Sequence, residues 1–367
     1  MLPDINVELI ESSKGCCALV SLPKTFRAVS SAPLGFGIIN VDRVLILQVP
    51  RNYDSERPEG ELQDLIDELK LGKNTVGLMT AAEVKKVLTV THQSLDDLHI
   101  TVVATAGASN ALIAGEDPYK KEGERKHSGT INIIALVNKA LTDGALVNAV
   151  ITATEAKSVA LRNLGFAASG TTTDSIVIAC PPDGGKLRYA GTATDVGILL
   201  SRAVKQAVIE SLTKAGEAKS RNFMDRLCER GIKMENLLDA AMELHIPDTE
   251  HSTEEIRKFF VEEINRLTGD VNINSLVCSA MFLEDLGSSG GIHGLSVDDF
   301  KKDPVHILAD EILGMAIAEY IAGTKGLLNY IRYDRKKPGI IATLGPFLDD
   351  VVASLVGGIM SSIYSKL

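Results

Sequence analysis

Two acidic pairs interrupt apolar runs near the C-terminus: Asp310-Glu311 within HILADEILGMAIAEY and Asp349-Asp350 within PFLDDVVASLVGGI. Burying one carboxylate is costly, and burying four is prohibitive unless they are protonated or hold a cation. Mg²⁺ suits such a set, because it takes carboxylate and water oxygens and bridges to phosphate. In that role it neutralises phosphate charge and activates a water. The plainer alternative is that each pair marks a helix start, where the dipole favours acids. That fits Asp349-Asp350 after Pro346, and fits Asp310-Glu311 less well, since a helix is expected to begin near Pro304.

A second kind of chemistry is suggested by small polar clusters at the ends of predicted strands, where α/β folds place ligand loops. Ser30, Ser31 and Gly35 lie in SSAPLGFG, and Gly107, Ser109 and Asn110 in TAGASNA. Gly129, Thr130 and Asn132 lie in GTINII, Thr172, Thr173 and Asp174 in GTTTDS, and Gly191 and Thr192 in YAGT. Glycine lets a backbone approach a ligand closely, and Ser, Thr and Asn add uncharged hydrogen bonds. An amide-rich ligand, a nucleotide or a sugar would suit such a lining, and ordinary turns use the same residues. Glu155 and Lys157 stand in a mostly apolar helical run, about 200° apart on a helical wheel, so they do not face each other. Asp174 precedes an apolar strand, where it can orient a base or cap a turn. His127 falls in the charged stretch KKEGERKHSG, which reads as a solvated loop rather than a base. No G-x-S-x-G elbow, H-x-H or H-E-x-x-H occurs, so neither a serine triad nor a zinc hydrolase is expected.

These residues require a scaffold of two characters. Residues 43–49, 101–105, 131–137 and 175–180 read as strands, β-branched and bounded by turn formers. A helix capped by Thr142 runs to Gly165, and another follows Thr194-Asp195 to about Lys214. The order strand, helix, strand, helix predicts an α/β domain with a mixed sheet over residues 1–218. The polar stretch KAGEAKSR is the linker candidate. Beyond it strand patterns vanish, and residues 234–244, 253–267, 273–286, 304–322 and 347–365 read as helices. An all-α domain is therefore expected over residues 219–367.

The composition is that of a soluble globular chain, 45% hydrophobic and 23% charged. Of the net charge of −10, −8 falls on residues 226–367, with 14 Lys+Arg against 22 Asp+Glu. Such acidity argues against nucleic acid as a partner. The five cysteines form no C-x-x-C pair and read as free thiols of a reducing compartment. Asp4, Glu8 and Glu11 stand where a secretory segment would be basic and then apolar, and residues 351–364 are too short to span a bilayer. A cytoplasmic location without a membrane span is expected, with a homo-oligomer left open.

Residues 310–364 resemble the phosphatidylglycerophosphatase A superfamily. The matching pieces are DEILGM at 310–315, NY at 329–330, YDR at 333–335, KKPG at 336–339 and FLDDVVA at 347–353. The resemblance implies Mg²⁺-dependent phosphomonoester hydrolysis with Asp310, Glu311, Asp349 and Asp350 as metal ligands, and places Glu262 near a further acidic position. The branches of that superfamily act on a lipid phosphate or on α-ribazole phosphate, and the soluble substrate is expected here. Residues 15–210 resemble the adenosylcobinamide amidohydrolase family through TAGASNA, GTINII, TEAK, TTDS and YAGT, with SGTT departing slightly from that family's T-G-T. That resemblance implies cleavage of the amide between the corrin ring and its aminopropanol arm, giving adenosylcobyric acid, with no cofactor beyond the corrinoid. The expected roles are Glu155 as general base or acid, Asn110, Asn132 and Thr173 on the amide or its oxyanion, and Asp174 in support. The other small-residue positions and Lys157 would bind substrate. A corrinoid-binding module without turnover is the alternative from another class.

Overall fold

In the computed structural model, residues 5–115, 129–166, 168–218, 221–247, 251–304 and 306–366 are described. His127 and part of the linker candidate lie outside them. The chain divides into two compact units, Met1–Ser220 and Arg221–Leu367. The first is a mixed sheet with helices and the second is helical, the fold class expected.

The first unit has eight strands: β1 (Asn6–Ser12), β2 (Gly15–Ser30), β3 (Gly37–Gln48), β4 (Thr75–Thr80), β5 (Thr89–Leu95), β6 (Leu98–Ala106), β7 (Ile131–Val137) and β8 (Ser175–Cys180). They run in the order β4-β3-β2-β8-β7-β6-β5, with β1 also on β2. The pairs β3–β4 and β7–β8 are parallel and the others antiparallel. The helices are α1 (Pro58–Glu68), α2 (Val84–Val87), α3 (Asp143–Asn163) and α4 (Asp195–Ala215).

Every residue of β7 and β8 is buried, because each strand is covered on both faces. Ile131, Ile133, Ala135 and Val137 pack with Ala149 and Ala153 of α3 and Leu199 and Ala203 of α4. On the other face Ile134 and Leu136 meet Val20, Val44, Val76 and Leu78 of β2, β3 and β4. The sheet therefore curls until its halves face each other, and α1 covers the outer face of β3 through Leu62, Leu65 and Ile66 against Leu45 and Leu47. Asn132 ties the halves together: its Nδ2 donates to the Met79 carbonyl at 2.9 Å, across three intervening strands.

Both long helices start at the expected caps. The Thr142 hydroxyl accepts from the Ala145 amide, and that of Thr194 from the Gly197 amide. Gly216, at φ +81°, turns the chain out of α4 in the left-handed conformation that glycine adopts without strain.

The second unit comprises α5 (Phe223–Glu229), α6 (Met234–Glu243), α7 (Thr253–Leu267), α8 (Val271–Ser288), α9 (Val297–Phe300), α10 (Ala309–Lys336), a 3₁₀ turn Gly339–Thr343 and α11 (Pro346–Lys366). Residues 304–322 were expected as a single helix ending at Gly323. The helix instead begins at Ala309, breaks at Ala322 and Gly323, and continues as a second arm to Lys336. The arms fold back on each other, since Gly326 lies so close to the Ala318 carbonyl that no Cβ fits between them. Gly357 of α11 presses on the backbone of Tyr330 in the second arm, and Gly358 on Ile321 in the first. Helix α11 is thus clasped by both arms. Among the described residues it is the one helix long and apolar enough to cross a membrane, at 21 residues, so shortness does not decide against a span. It is instead the buried centre of this unit, with 18 buried residues from Pro346 to Ile363.

Glu263 of α7 anchors the far end of α11. It accepts from Arg266 at 2.8 Å, Ser362 at 3.2 Å and Lys366 at 3.0 Å. The Arg266 guanidinium, with Lys366 second, holds its carboxyl down at about 2 against burial. A carboxyl held low in the folded state stabilises that state above its unfolded value, and the contribution is lost as pH falls toward the folded one. We therefore expect Glu263→Gln to cost about 1 kcal/mol at pH 7, because both partner cations are more than half exposed. Thermal unfolding followed by circular dichroism should show the gap between variant and wild type closing as pH falls from about 4.5 toward 2. A gap independent of pH would refute an electrostatic role.

Candidate functional sites

The first site gathers at one end of the sheet, where β6 ends and the parallel strands β7 and β8 begin. Gly107 donates its amide to the Thr130 carbonyl at 3.1 Å, and Leu112 bonds to the Gly170 carbonyl at 3.0 Å. Asn110 donates to the Thr172 hydroxyl at 2.8 Å, and the Thr130 and Thr173 hydroxyls share a bond of 2.7 Å. Ser31 closes the rim at β8, its hydroxyl accepting from the Ile176 amide at 2.9 Å. The Ser30 hydroxyl accepts from Ala32 at 3.1 Å, and Gly35, at φ +80°, turns the chain against Val76.

Below this rim lies a buried ion pair between Lys157 and Asp174. Lys157 is 6% exposed, at a position within the alanine face of α3 that packs on the sheet. Asp174 accepts four donors: Lys157 Nζ, the Ile131 amide at 3.0 Å, the Thr171 amide at 3.0 Å and the Thr171 hydroxyl. A carboxylate so filled has little capacity left to take a proton, so Asp174 positions the loops rather than acting as a base. Gly170 is needed because a Cβ there would collide with both partners, and Gly129 because one there would strike Asn110 Oδ1.

Not every expected residue joins this cluster. Glu155 is exposed, on the face of α3 turned away from Lys157, with no described hydrogen-bond partner. Asn132 is buried and spends its amide nitrogen on Met79 and on Thr105 Oγ1 at 3.4 Å, so it braces the fold instead of facing a ligand. Gly191 caps the start of α4 through its carbonyl, which takes the Thr194 hydroxyl at 2.9 Å, and Thr192 beside it is exposed. That loop lies about 30 Å along α4 from Glu217, the residue that touches the cluster at the helix's other end. Asn110 Oδ1 is buried and has no hydrogen-bond partner among the described residues. A buried acceptor left unfilled favours a ligand that brings an N–H or O–H donor.

The second site lies at the N-terminal end of α11. Asp310, Glu311 and Asp349 sit in the first turns of their helices, as the dipole reading expects, and Asp350 just beyond, yet Asp310, Asp349 and Asp350 are only 2%, 4% and 5% exposed. A helix dipole alone does not offset that burial. Burial pushes the Asp310 carboxyl up to about 7, with Glu311 adding to the rise. It pushes Asp350 up to about 8, helped by Asp349, Asp334 and Asp310 and opposed by the Tyr330 hydroxyl, which donates to it at 2.8 Å. Burial also lifts Asp349 to about 6, against the pull of Lys337, which pairs with it and with Asp303 at 3.2 Å. Glu311 Oε2 is buried without a hydrogen-bond partner among the described residues. Asp334, in the second arm of α10, joins this group. The YDR match contained it, but nothing in its spacing marked it as a ligand.

Glu262 does not join. It is 59% exposed and reaches only Lys258, at 3.8 Å. The buried acid of α7 is Glu263, and its partner Ser362 lies about 18 Å beyond Asp350 along α11.

The unfilled Glu311 oxygen and the strained Asp310 and Asp350 fit a hard divalent cation. Among the described residues no three acid, histidine or cysteine groups form a ready cage. A cation here would therefore take one or two carboxylates plus waters and a phosphate oxygen, the usual habit of Mg²⁺.

The model of adenosylcobinamide amidohydrolases matches residues 5–220, more than half of the chain. The chain belongs to that family. A phosphatidylglycerophosphatase A model matches residues 271–365. An adenosylcobinamide amidohydrolase of Methanosarcina mazei is 32% identical over 201 residues, covering 52% of this chain and 92% of that protein. An uncharacterised protein of Methanocaldococcus jannaschii is 34% identical over 131 residues, covering 35% of this chain and 99% of its own. Among solved structures, the low temperature requirement C protein of Listeria monocytogenes is 22% identical, covers 39% of this chain and 93% of its own, and superposes with a TM-score of 0.35. The chain is thus a hydrolase of cobamide salvage, with an amidohydrolase unit followed by a phosphatase-family unit.

The Lys157–Asp174 pair gives this site its sharpest energetic expectation. Lys157→Met removes the counter-charge of a nearly buried carboxylate that keeps three other donors, and should cost about 3 kcal/mol in urea unfolding of the first unit. Lys157→Met combined with Asp174→Asn should recover part of that loss, and a single-variant cost below about 1 kcal/mol would show the pair to be screened by solvent.

Proposed function

We propose that the first unit hydrolyses adenosylcobinamide to adenosylcobyric acid and aminopropanol, and that the second removes phosphate from α-ribazole 5′-phosphate with Mg²⁺ bound through one or two of the carboxylates of Asp310, Glu311 and Asp350. Family membership supports the first reaction, and the observation that carries it to this site is the unfilled, buried Asn110 Oδ1 among motif loops. A corrinoid edged with amides supplies the N–H donor that this oxygen lacks. Thr172 and the Thr130–Thr173 pair offer further neutral hydrogen bonds, and Lys157 places a fixed positive charge beneath the loop. Such an array orients an amide and meets the negative charge that develops on its oxygen.

For the second reaction, bound Mg²⁺ would supply charge neutralisation and a water of lowered pKa. The protein's part is to hold the carboxylates dry and in place. Tyr330 fixes one oxygen of Asp350, and Lys337 takes Asp349, so the cation's one or two carboxylates would come from Asp310, Glu311 and the other oxygen of Asp350. Asp349, expected as a ligand, serves in this reading to seat Lys337, whose ammonium can face a phosphate. A lipid substrate, phosphatidylglycerophosphate, is the second reading, favoured by the family model that this unit matches. We place the whole chain in the cytoplasm, where both soluble substrates would be found.

Incubation of the protein with adenosylcobinamide should yield adenosylcobyric acid by chromatography, both in EDTA and with Mg²⁺. Binding without product would restore the corrinoid-binding module. Phosphate release from α-ribazole 5′-phosphate should vanish in EDTA, return with Mg²⁺, and fall at least about 100-fold in Asp310→Asn or Asp350→Asn. Release only from phosphatidylglycerophosphate in vesicles would move the second unit to the lipid substrate.

A further inference from the structure

Among the described residues, the amide-cleaving cluster above has donors, a fixed cation and a spent carboxylate, but no base. Glu155 faces solvent and Asp174 is filled. A further carboxylate among the described residues reaches the motif loops from beyond the last helix of the unit. After Gly216 ends α4, the Glu217 amide bonds back to the Leu212 carbonyl at 3.0 Å, which turns its side chain toward the sheet. Glu217 Oε2 accepts from the Ala108 amide at 2.6 Å, inside the TAGASNA loop. Its Oε1 accepts no described hydrogen bond. That oxygen lies 3.6 Å from where a Cβ on Gly107 would stand, and the same point is 3.8 Å from the Gly129 Cα. Glycine at 107 thus leaves space between the carboxylate and the Gly129 edge, against which Asn110 Oδ1 also rests.

We propose that Glu217 is the general base and acid of amide hydrolysis. The assignment rests on the amidohydrolase reading above. Glu217 takes a proton from water as the water oxygen bonds to the amide carbon. It returns that proton to the amide nitrogen as the C–N bond breaks, leaving a carboxylic acid on the corrin side chain and free aminopropanol. The acid proton then passes to solvent or to the amine, and Glu217 ends as it began. No oxidant, reductant or further reactant is required. The anchoring bond from Ala108 holds one oxygen and leaves the other for water, the arrangement general-base catalysis requires.

Glu217→Gln separates this role from loop support, because the glutamine carbonyl can still accept from Ala108 while the proton acceptor is gone. In the full chain with adenosylcobinamide, kcat should fall about 100- to 10,000-fold. Corrinoid affinity, read from the corrin absorbance, should stay within about threefold, and the melting temperature should hold. In a second variant, Glu217→Ala, added formate should restore part of kcat by entering the vacated space as a carboxylate. A Glu217→Gln enzyme keeping more than a tenth of wild-type kcat would overturn the assignment, as would affinity falling in step with kcat. Wild-type protein that binds the corrinoid and forms no product would sink the amidohydrolase reading itself, and the base with it.

Discussion

A buried carboxylate must have its oxygens filled, and the two units of this chain meet that requirement in opposite ways. Asp174 receives four donors from three segments, so it locks the start of β7, the loop before β8 and the face of α3 into one arrangement. Remove that lock and the loops carrying Asn110, Thr172 and Thr173 lose their common reference. In the second unit, Asp310 and Asp350 are buried more deeply and are not filled, and burial pushes their carboxyls up to about 7 and about 8. Glu263 shows that this unit can satisfy a buried acid when the acid is structural, with three side chains around it and its carboxyl held low. The contrast within one bundle separates anchoring acids from acids reserved for a cation.

Close backbone approach is the second shared device. In the first unit, glycines at 129 and 170 leave room for Asn110, Lys157 and Asp174 where any side chain would collide. In the second, Gly314 admits the Tyr330 hydroxyl and Gly357 admits the Tyr330 backbone, so that Tyr330 can reach Asp350. In both sites a small residue stands beside a polar group that must sit in one place. The break at Gly323 belongs to the same pattern, because it lets one helix supply acids to the site from both ends.

What could be read from the sequence follows physical lines. β7 and β8 were legible to the residue because strands buried on both faces are continuous apolar runs. The caps at Thr142 and Thr194 have clear signatures, and α3 and α4 begin at them. The long strand β2 was not legible, since polar residues and a register shift between Ser21 and Phe26 break its alternation. The edge strands β4 and β5 carry glycine or polar residues, and their pairing is decided by neighbours far off in sequence. Gly323 was correctly seen to end a helix, but the resumption after it depends on packing against α11, which no local pattern shows.

The site residues divide in the same manner. A helical wheel places Glu155 and Lys157 on different faces, which the structure bears out, but it does not say which face is buried. The signal was present in the alanines at 149, 153, 156 and 160, a stripe small enough to lie flat on a sheet, with Lys157 inside it. A lysine on a buried alanine face must have a carboxylate partner, because an isolated buried ammonium is far too costly. Asp174, 17 residues on, is that partner. Glu217 was hidden for a different reason: its neighbours KAGEAKSR have the composition of a linker, and composition carries no information about where a chain turns back. Gly216 does carry it, because a glycine closing an amphipathic helix predicts a reversal, and the residue after a reversal faces the body that the helix packs on.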